Sequence, residues 1–323
     1  VALNKKTFRG LYIGDNHCDS ANLPSRNDNY ENATVAELLE CLEIARDNNC
    51  DYIVFLGDIF NRIEVGGSCR NKIMQVLKEQ PNGDKWLFDK YVCVGNHDIK
   101  HDPQRLHEST LGSLLIAGYL EKVDAVSQYG IGFAHFEPHI EENISKGLFQ
   151  KKQYPIWVAH ASIVTQKIFG KFIMFEDVPL GKGTNVVIAG HVHMPMEQKR
   201  KDGKLFINPG NVGRNAATKE NMSRDIKVLL MDHNLDATKV DYKYIALKSA
   251  LPAKEIFKVS QIQNKKDIQT DKRQFLKQVS QIAIINSTGD KYENLRKAGT
   301  IKSIDTKVID KAITALKEVN DNK

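Results

Sequence analysis

Short apolar runs punctuate the first 190 positions of the chain, and segments with helical spacing separate them. Phe8-Arg9-Gly10-Leu11-Tyr12-Ile13 leads into Gly14-Asp15. Residues 33–48 follow, with Val35, Leu38, Leu39 and Leu42 on one helical face. Tyr52-Ile53-Val54-Phe55-Leu56 comes next, then helical spacing over 69–79, then Tyr91-Val92-Cys93-Val94 and a helical stretch over 108–117. Ile131-Gly132-Phe133-Ala134, Ile156-Trp157-Val158-Ala159 and Val186-Val187-Ile188-Ala189 continue the strand series. Strands alternating with helices predict an α/β sheet structure with layers packed on it. Past Gly190 the pattern turns β-rich, with candidate strands at Leu205-Phe206-Ile207, 226–231 and 242–247. Pro252 marks a possible boundary, and residues 272–284 and 305–319 have helical spacing with many lysines.

At 323 residues the chain is expected to form one large domain of roughly 200–250 residues and a smaller appendage. Hydrophobic residues at 41% and charged residues at 27% exclude a disordered or low-complexity chain. No apolar run approaches the roughly 20 residues of a membrane span, so no membrane partner is expected. The five cysteines are odd in number and include no C-x-x-C pair, which argues against a disulfide framework or a zinc ribbon. Residues 1–8 lack the apolar stretch of a secretory leader, and a cytoplasmic location is expected. Charge is uneven. Residues 1–245 hold 30 Lys and Arg against 31 Asp and Glu, whereas residues 246–323 hold 16 against 9. A late excess of +7 suits a polyanionic partner or a solvated basic tail.

Five strand candidates each run into a small residue and then a polar side chain able to bind metal. They are Gly14-Asp15-Asn16-His17, Gly57-Asp58, Gly95-Asn96-His97-Asp98, Ala159-His160 and Gly190-His191-Val192-His193. Sites in α/β sheets gather at the C-terminal edges of strands. Asp15, His17, Asp58, Asn96, His160, His191 and His193 thus make seven candidate ligands for one rim. One ion takes about three or four protein ligands plus water, so seven suit two ions that share a carboxylate. Imidazole and oxygen donors without thiolate favour Mn, Fe or Zn. Two ions roughly 3.5–4 Å apart can clamp an in-line displacement at phosphorus.

This ordered set resembles the calcineurin-like metallophosphoesterase superfamily, over residues 8 to about 212. The resemblance implies an α/β fold, a two-sheet β-sandwich flanked by helices, over residues 1–245. A smaller capping and partner-binding region would occupy 246–323. It implies that Asp15, His17 and His193 bind one metal, that Asn96, His160 and His191 bind the other, and that Asp58 bridges them. His97 would protonate the leaving oxygen or stabilise the transition state, and Asp98 would orient and charge-tune His97. Gly57-Asp58-Ile59-Phe60 together with Gly95-Asn96-His97-Asp98 is similar to the SbcD-type DNA-repair nucleases. Asn61 stands where that branch usually has Asp, and Asn208-Pro209-Gly210-Asn211 resembles its Asn-Pro-Gly-Ser turn. The length is nearer to the bacteriophage recombination nucleases of this type. The resemblance therefore implies a manganese-dependent DNA exo/endonuclease for break repair or recombination. It would be a homodimer working with a coiled-coil ATPase of the SbcC type, in the host cytoplasm if phage-encoded.

Two alternatives stand beside that reading. One is a phosphatase or cyclic-nucleotide phosphodiesterase on the same metal core, and the other is a catalytically silent scaffold. Lys265, Lys266, Lys272, Arg273 and Lys277 form the densest basic cluster, either a DNA-binding surface or a solvated helix face. The 305–319 segment, with Ile309, Ala312, Ile313 and Leu316 apolar, either docks a partner helix or packs within the chain. His135 and His139 fall near the expected rim, as substrate contacts or, the favoured reading, as surface or core residues. Trp86 and Trp157 are expected in the core.

Overall fold

Strands buried on both faces read as unbroken apolar runs, and the runs of this chain become such strands. The structure, a computed structural model, describes residues 7–168 and 170–258, together with Arg296, Asp310 and Ile313. In chain order the strands are β1 (Phe8–Ile13), β2 (Tyr52–Phe55), β3 (Asp89–Val92), β4 (Ala125–Val126), β5 (Ile131–Ala134), β6 (Ile156–His160), β7 (Ile163–Val164), β8 (Ile173–Met174), β9 (Val186–Gly190), β10 (Met196–Lys199), β11 (Leu205–Asn208), β12 (Lys227–His233) and β13 (Val240–Ala246). One sheet has the order β13-β12-β1-β2-β3 and a second the order β10-β11-β9-β6-β5-β4, while β7 and β8 pair separately. Strands β1, β2 and β3 are mutually parallel, as are β5, β6, β9 and β11. Parallel order brings the C-terminal ends of these strands to one edge of each sheet.

Alternate residues of each strand feed alternate layers, as the period of two requires. Tyr12, Tyr52 and Val54 from the first sheet meet Ile156, Val158 and Ile188 from the second in one buried cluster, so the sheets pack face to face. Leu11, Ile13, Ile53 and Phe55 point the other way, onto helices α1 (Tyr30–Asp47) and α2 (Gly67–Lys78) through Leu38, Leu42, Ile73 and Leu77. Trp157, Val187 and Phe206 cover the outer face of the second sheet with Phe149 and Phe175. The result is the expected sandwich of two sheets between helical layers. Each large apolar side chain so buried is worth about 1.5–3 kcal/mol. One chain of buried polar groups links neighbouring strands. His233 Nδ1 donates to the Asn234 carbonyl at 2.9 Å, so Nε2 accepts from Tyr52 Oη at 2.7 Å, and Tyr52 in turn accepts from Tyr12 Oη at 2.8 Å.

Helix α1 starts earlier than its apolar spacing predicts, because the Asn29 side chain accepts from Asn32 N at 2.9 Å and caps it. Its buried stripe is also rotated. Thr34, Glu37, Cys41 and Ala45 are buried with Leu38 and Leu42, while Val35 and Leu39 are only partly covered. Strand β10 was not expected, since Met-Glu-Gln-Lys at a sheet edge carries one apolar residue. Both tryptophans are buried, and all five cysteines are buried and free.

The chain divides into two compact units, Val1–Phe257 and Lys258–Lys323. Residues 246–257, assigned by sequence to the C-terminal region, stay with the first unit: Leu247, Ala253, Ile256 and Phe257 are buried, and Ile256 O accepts from Asn27 N at 2.7 Å. The basic cluster Lys265, Lys266, Lys272, Arg273 and Lys277 lies outside the described residues. Of the 305–319 segment, Asp310 and Ile313 are described and are helical. No helix among the described residues is long and apolar enough to cross a membrane.

Candidate metal centre

The C-terminal ends of β1, β2, β3, β6 and β9 converge, and all seven candidate ligands meet there. His193 Nε2 lies 3.5 Å from Asp15 Oδ2 and 2.9 Å from His17 Nε2. Asp58 Oδ2 lies 3.9 Å from His17 Nε2 and 3.4 Å from His160 Nε2. Asn96 Oδ1 is 3.0 Å from His160 Nε2, and the His160 and His191 rings are 5.0 Å apart. Asp15, His17 and His193 form one group whose donor atoms lie within 4.8 Å of one another, and Asp58, His160 and His191 form another. A third group, His17, Asp58 and His97, overlaps both. Asp58 thus stands between the two halves.

The donor chemistry fits a pair of cations. Leu56 O can only accept, so His160 Nδ1, 2.8 Å away, carries the proton of that bond. In a neutral ring this leaves the Nε2 lone pair facing the Asp58 carboxylate and the Asn96 carbonyl, acceptor against acceptor. Only a proton or a cation reconciles them. Burial works against a charged His160, but Asp58 and Asp15 outweigh it and raise the ring to about 10. Burial lowers His17 and His191 to about 3 and His193 to about 4, so these three rings are neutral lone-pair donors at pH 7. Burial alone would raise Asp58, yet His160 and His17 hold it below the usual carboxylate range.

Backbone contacts aim these side chains. His191 N donates to Asp15 Oδ2 at 3.0 Å, and His97 N donates to Asp58 Oδ1 at 2.8 Å. Asn16 N and His17 N both donate to Asp58 O, at 3.1 and 2.9 Å, which ties the loop after β1 to the loop after β2. Three ligands sit in the left-handed region, His17 at φ 51°, Asp58 at 45° and His191 at 82°. Such strain persists only where surroundings over-determine it. Tyr30 Oη contributes by donating to His17 O at 2.8 Å. Two glycines are required by contact. A Cβ at Gly57, which has φ +116°, would run into the His160 ring, and one at Gly95 would meet the carboxylate and amide nitrogen of Asp58.

His97 and Asp98 open the short helix α3 (Asn96–Ile99). The role expected for Asp98 needs correction. His97 Nδ1 bonds to the Asn61 carbonyl at 2.8 Å, so Asn61 is the group that orients the ring. Asp98 is 1% exposed, and its carboxylate accepts from Gly95 N at 3.0 Å and Phe60 N at 3.2 Å. It clips the loop after β2 to the loop after β3. Burial and the nearby Asp58 push its carboxyl up to about 8, against the pull of the two N–H donors. The Asn208 turn braces the far side, with Oδ1 accepting from Gly210 N at 2.8 Å and Nδ2 donating to Val192 O at 2.7 Å.

His135 is a structural residue. Its Nδ1 accepts from Val94 N at 3.1 Å and its Nε2 donates to Val123 O at 3.1 Å. His139 is exposed beside Glu142. Phe136, between them in sequence, is the residue that reaches the centre: its ring centroid is 6.3 Å from those of His160 and His191. Sequence patterning singles out polar residues at strand ends and passes over an aromatic there.

The family model of the calcineurin-like phosphoesterase superfamily domain matches residues 11–232. The chain belongs to this superfamily. The matched segment spans the whole ligand series, from Asp15 to His193. Three solved structures are similar at 12% identity, each over 74% of this chain. A dimetal phosphatase from Danio rerio has a TM-score of 0.42 with 98% of that chain covered. A putative 5'-nucleotidase from Staphylococcus aureus has 0.40 with 54% covered. The calcineurin-like phosphoesterase YfkN from Bacillus subtilis has 0.42 with 90% covered. No curated protein matches the chain in sequence. The superfamily is one of metal-dependent hydrolases of phosphoesters, and the chain is such a hydrolase by membership.

Proposed function

We propose that the chain is a two-metal phosphodiesterase acting on DNA, the nuclease subunit of an SbcD-type repair or recombination machine. The observation that carries this reading is Asp58 standing between the His17 and His160 imidazoles with His97 beside it. In this reading Asp15, His17 and His193 hold one divalent cation, Asn96, His160 and His191 hold the other, and Asp58 is common to both. Bound there, the cations would polarise the phosphoryl oxygens and bring the pKa of a water toward neutrality. With Nδ1 of His97 engaged by Asn61 O, Nε2 is the atom left to hold or pass a proton at the leaving oxygen. The side chain of His193 is 35% exposed, which gives a substrate phosphate access from solvent. The mixed imidazole and oxygen set is the reason manganese is proposed. DNA is proposed from the strings around Asp58 and Asn96 and from the late-chain charge, which suits phosphates. A homodimer with an SbcC-type ATPase, in the cytoplasm, completes the proposal.

The test is hydrolysis of end-labelled linear duplex and single-stranded DNA with Mn or Mg, with and without chelator, beside p-nitrophenyl phosphate and cyclic nucleotides. Chelator-sensitive DNA cleavage is expected. Turnover of the monoester or the cyclic nucleotide with DNA left intact would move the chain to the phosphatase or cyclic-nucleotide alternative.

A further inference from the structure

A cavity of about 500 Å³ opens beside the metal centre, and His191 belongs to both. Its other walls include Phe136, His101, Glu141, Ser162 and Lys171. Whatever is esterified to a phosphorus held at His191 has this space as its neighbour. The size is in the range of sites that enclose a small organic group. Phe136 is partly buried and packs against both the helical-side and outer-face clusters. Its ring is set against His101 at 5.7 Å and against His160 and His191 at 6.3 Å. The ring is therefore a fixed surface rather than a loose side chain.

Charge decides what kind of group the cavity accepts. Glu141 and Lys171 supply one charge of each sign. Glu141 Oε1 is held by Ser162 N at 2.9 Å, so the carboxylate is a fixed part of the wall. Away from His191 these two charges offset each other, so this part of the wall gives a second phosphate no net attraction. An aromatic face with polar groups around it suits a planar, uncharged, hydrogen-bonding ring.

We propose that this cavity seats the nucleobase adjoining the scissile phosphate, with Phe136 as its stacking face. The proposal rests on the phosphodiesterase reading above and names the substrate class of that site: diesters that carry a base. Stacking on an aromatic side chain is tolerant of base identity, and its removal costs about tenfold in binding or more.

Two p-nitrophenyl diesters with the same leaving group isolate the base. One is the ester of thymidine 5'-phosphate, and the other is the ester of its abasic 1,2-dideoxyribose counterpart. With Mn present, kcat/KM for the thymidine ester should exceed that for the abasic ester by about tenfold in the unaltered protein. The ratio should fall toward one in Phe136→Leu and return in Phe136→Tyr, which restores a ring without asking the fold to lose volume. A ratio near one in the unaltered protein, or a ratio that survives Phe136→Leu, overturns the proposal while the phosphodiesterase reading stands. Failure to hydrolyse either ester overturns this proposal, and where DNA is also left intact it overturns the phosphodiesterase reading with it.

Discussion

Asp98 separates two accounts of the same motif. Its carboxylate is buried and accepts one N–H from each of two ligand-bearing loops, Gly95 N at 3.0 Å and Phe60 N at 3.2 Å. Asp98→Asn keeps the shape and one acceptor oxygen, but turns the other oxygen into an NH2 that confronts a backbone donor. One acceptor of the carboxyl group is lost and one buried N–H is orphaned, a cost on the order of 3 kcal/mol. For a unit of this size that lowers Tm by roughly 6–12 °C, at about 2–4 °C per kcal/mol. Affinity for Mn should fall with it, because the loops that carry Asp58 and Asn96 are no longer clipped. The pH profile of kcat should keep its limbs, since Asn61 and not Asp98 holds His97. Thermal melting by circular dichroism, calorimetric Mn titration and a pH–rate series with a phosphodiester substrate measure the three effects. An unchanged Tm with a displaced limb of the pH profile would refute the clip and restore a tuning role.

Other substitutions test the neighbouring parts. His97→Ala should cut phosphodiester kcat by about 10²–10⁴ while calorimetric Mn binding stays near that of the unaltered protein. Asp58→Asn should weaken both metal sites at once, so the Mn stoichiometry by calorimetry should fall toward zero rather than from two to one. Gly95→Ala should abolish Mn binding, since its Cβ would occupy the place of the Asp58 carboxylate, with far-ultraviolet dichroism retained. His135 gives a stability signal of known sign. Burial lowers its ring from 6.5 to about 4, so the folded state takes up its proton only at a lower pH than the unfolded chain does. Stability from this residue is full above pH 6.5 and is lost as pH falls toward 4, by on the order of 1–2 kcal/mol at pH 5. Urea midpoints at pH 7 and pH 5 should differ less in His135→Gln, and an equal difference would exclude His135 as the source.

The sequence is informative where one physical demand dominates. A strand covered on both faces needs an unbroken apolar run, and β1, β2, β6 and β9 stand close to where those runs predict. A ligand at a strand end needs a small residue before it, and the five strings converge for that reason. Pattern fails where a residue answers to partners far away in the chain. Glu37 lies on the buried stripe of α1, where burial pushes its carboxyl up to about 8 against the pull of Arg26 and Arg214, and helical spacing alone does not reveal this. Tyr30 and Phe136 carry no signal in the apolar pattern, yet one braces the His17 backbone and the other borders the His160 and His191 rings. Asn61 looked like a departure from its branch. The structure uses its backbone carbonyl on His97, a contact that any residue supplies, while its side chain donates to Asp19 Oδ2 at 3.0 Å. An exchange of Asp for Asn there leaves the His97 contact intact.

The site depends on both sheets at once. Asp15, Asp58 and Asn96 leave strands of the first sheet, whereas His160, His191 and His193 leave strands of the second. Each of the two outer ligand groups mixes residues from both. The bonds that span the rim, His191 N to Asp15 Oδ2 at 3.0 Å and His160 Nδ1 to Leu56 O at 2.8 Å, are the same bonds that orient the ligands. Sliding of one sheet over the other would therefore break the ligand geometry before it opened the apolar layer beneath. Tyr12, Tyr52, Val54, Ile156, Val158 and Ile188 resist that slide, so side chains remote from any metal set the spacing of the donors. The coupling runs both ways. A cation held by residues of both sheets binds the assembled sandwich and not the separated one, and it stabilises the packing that creates its site.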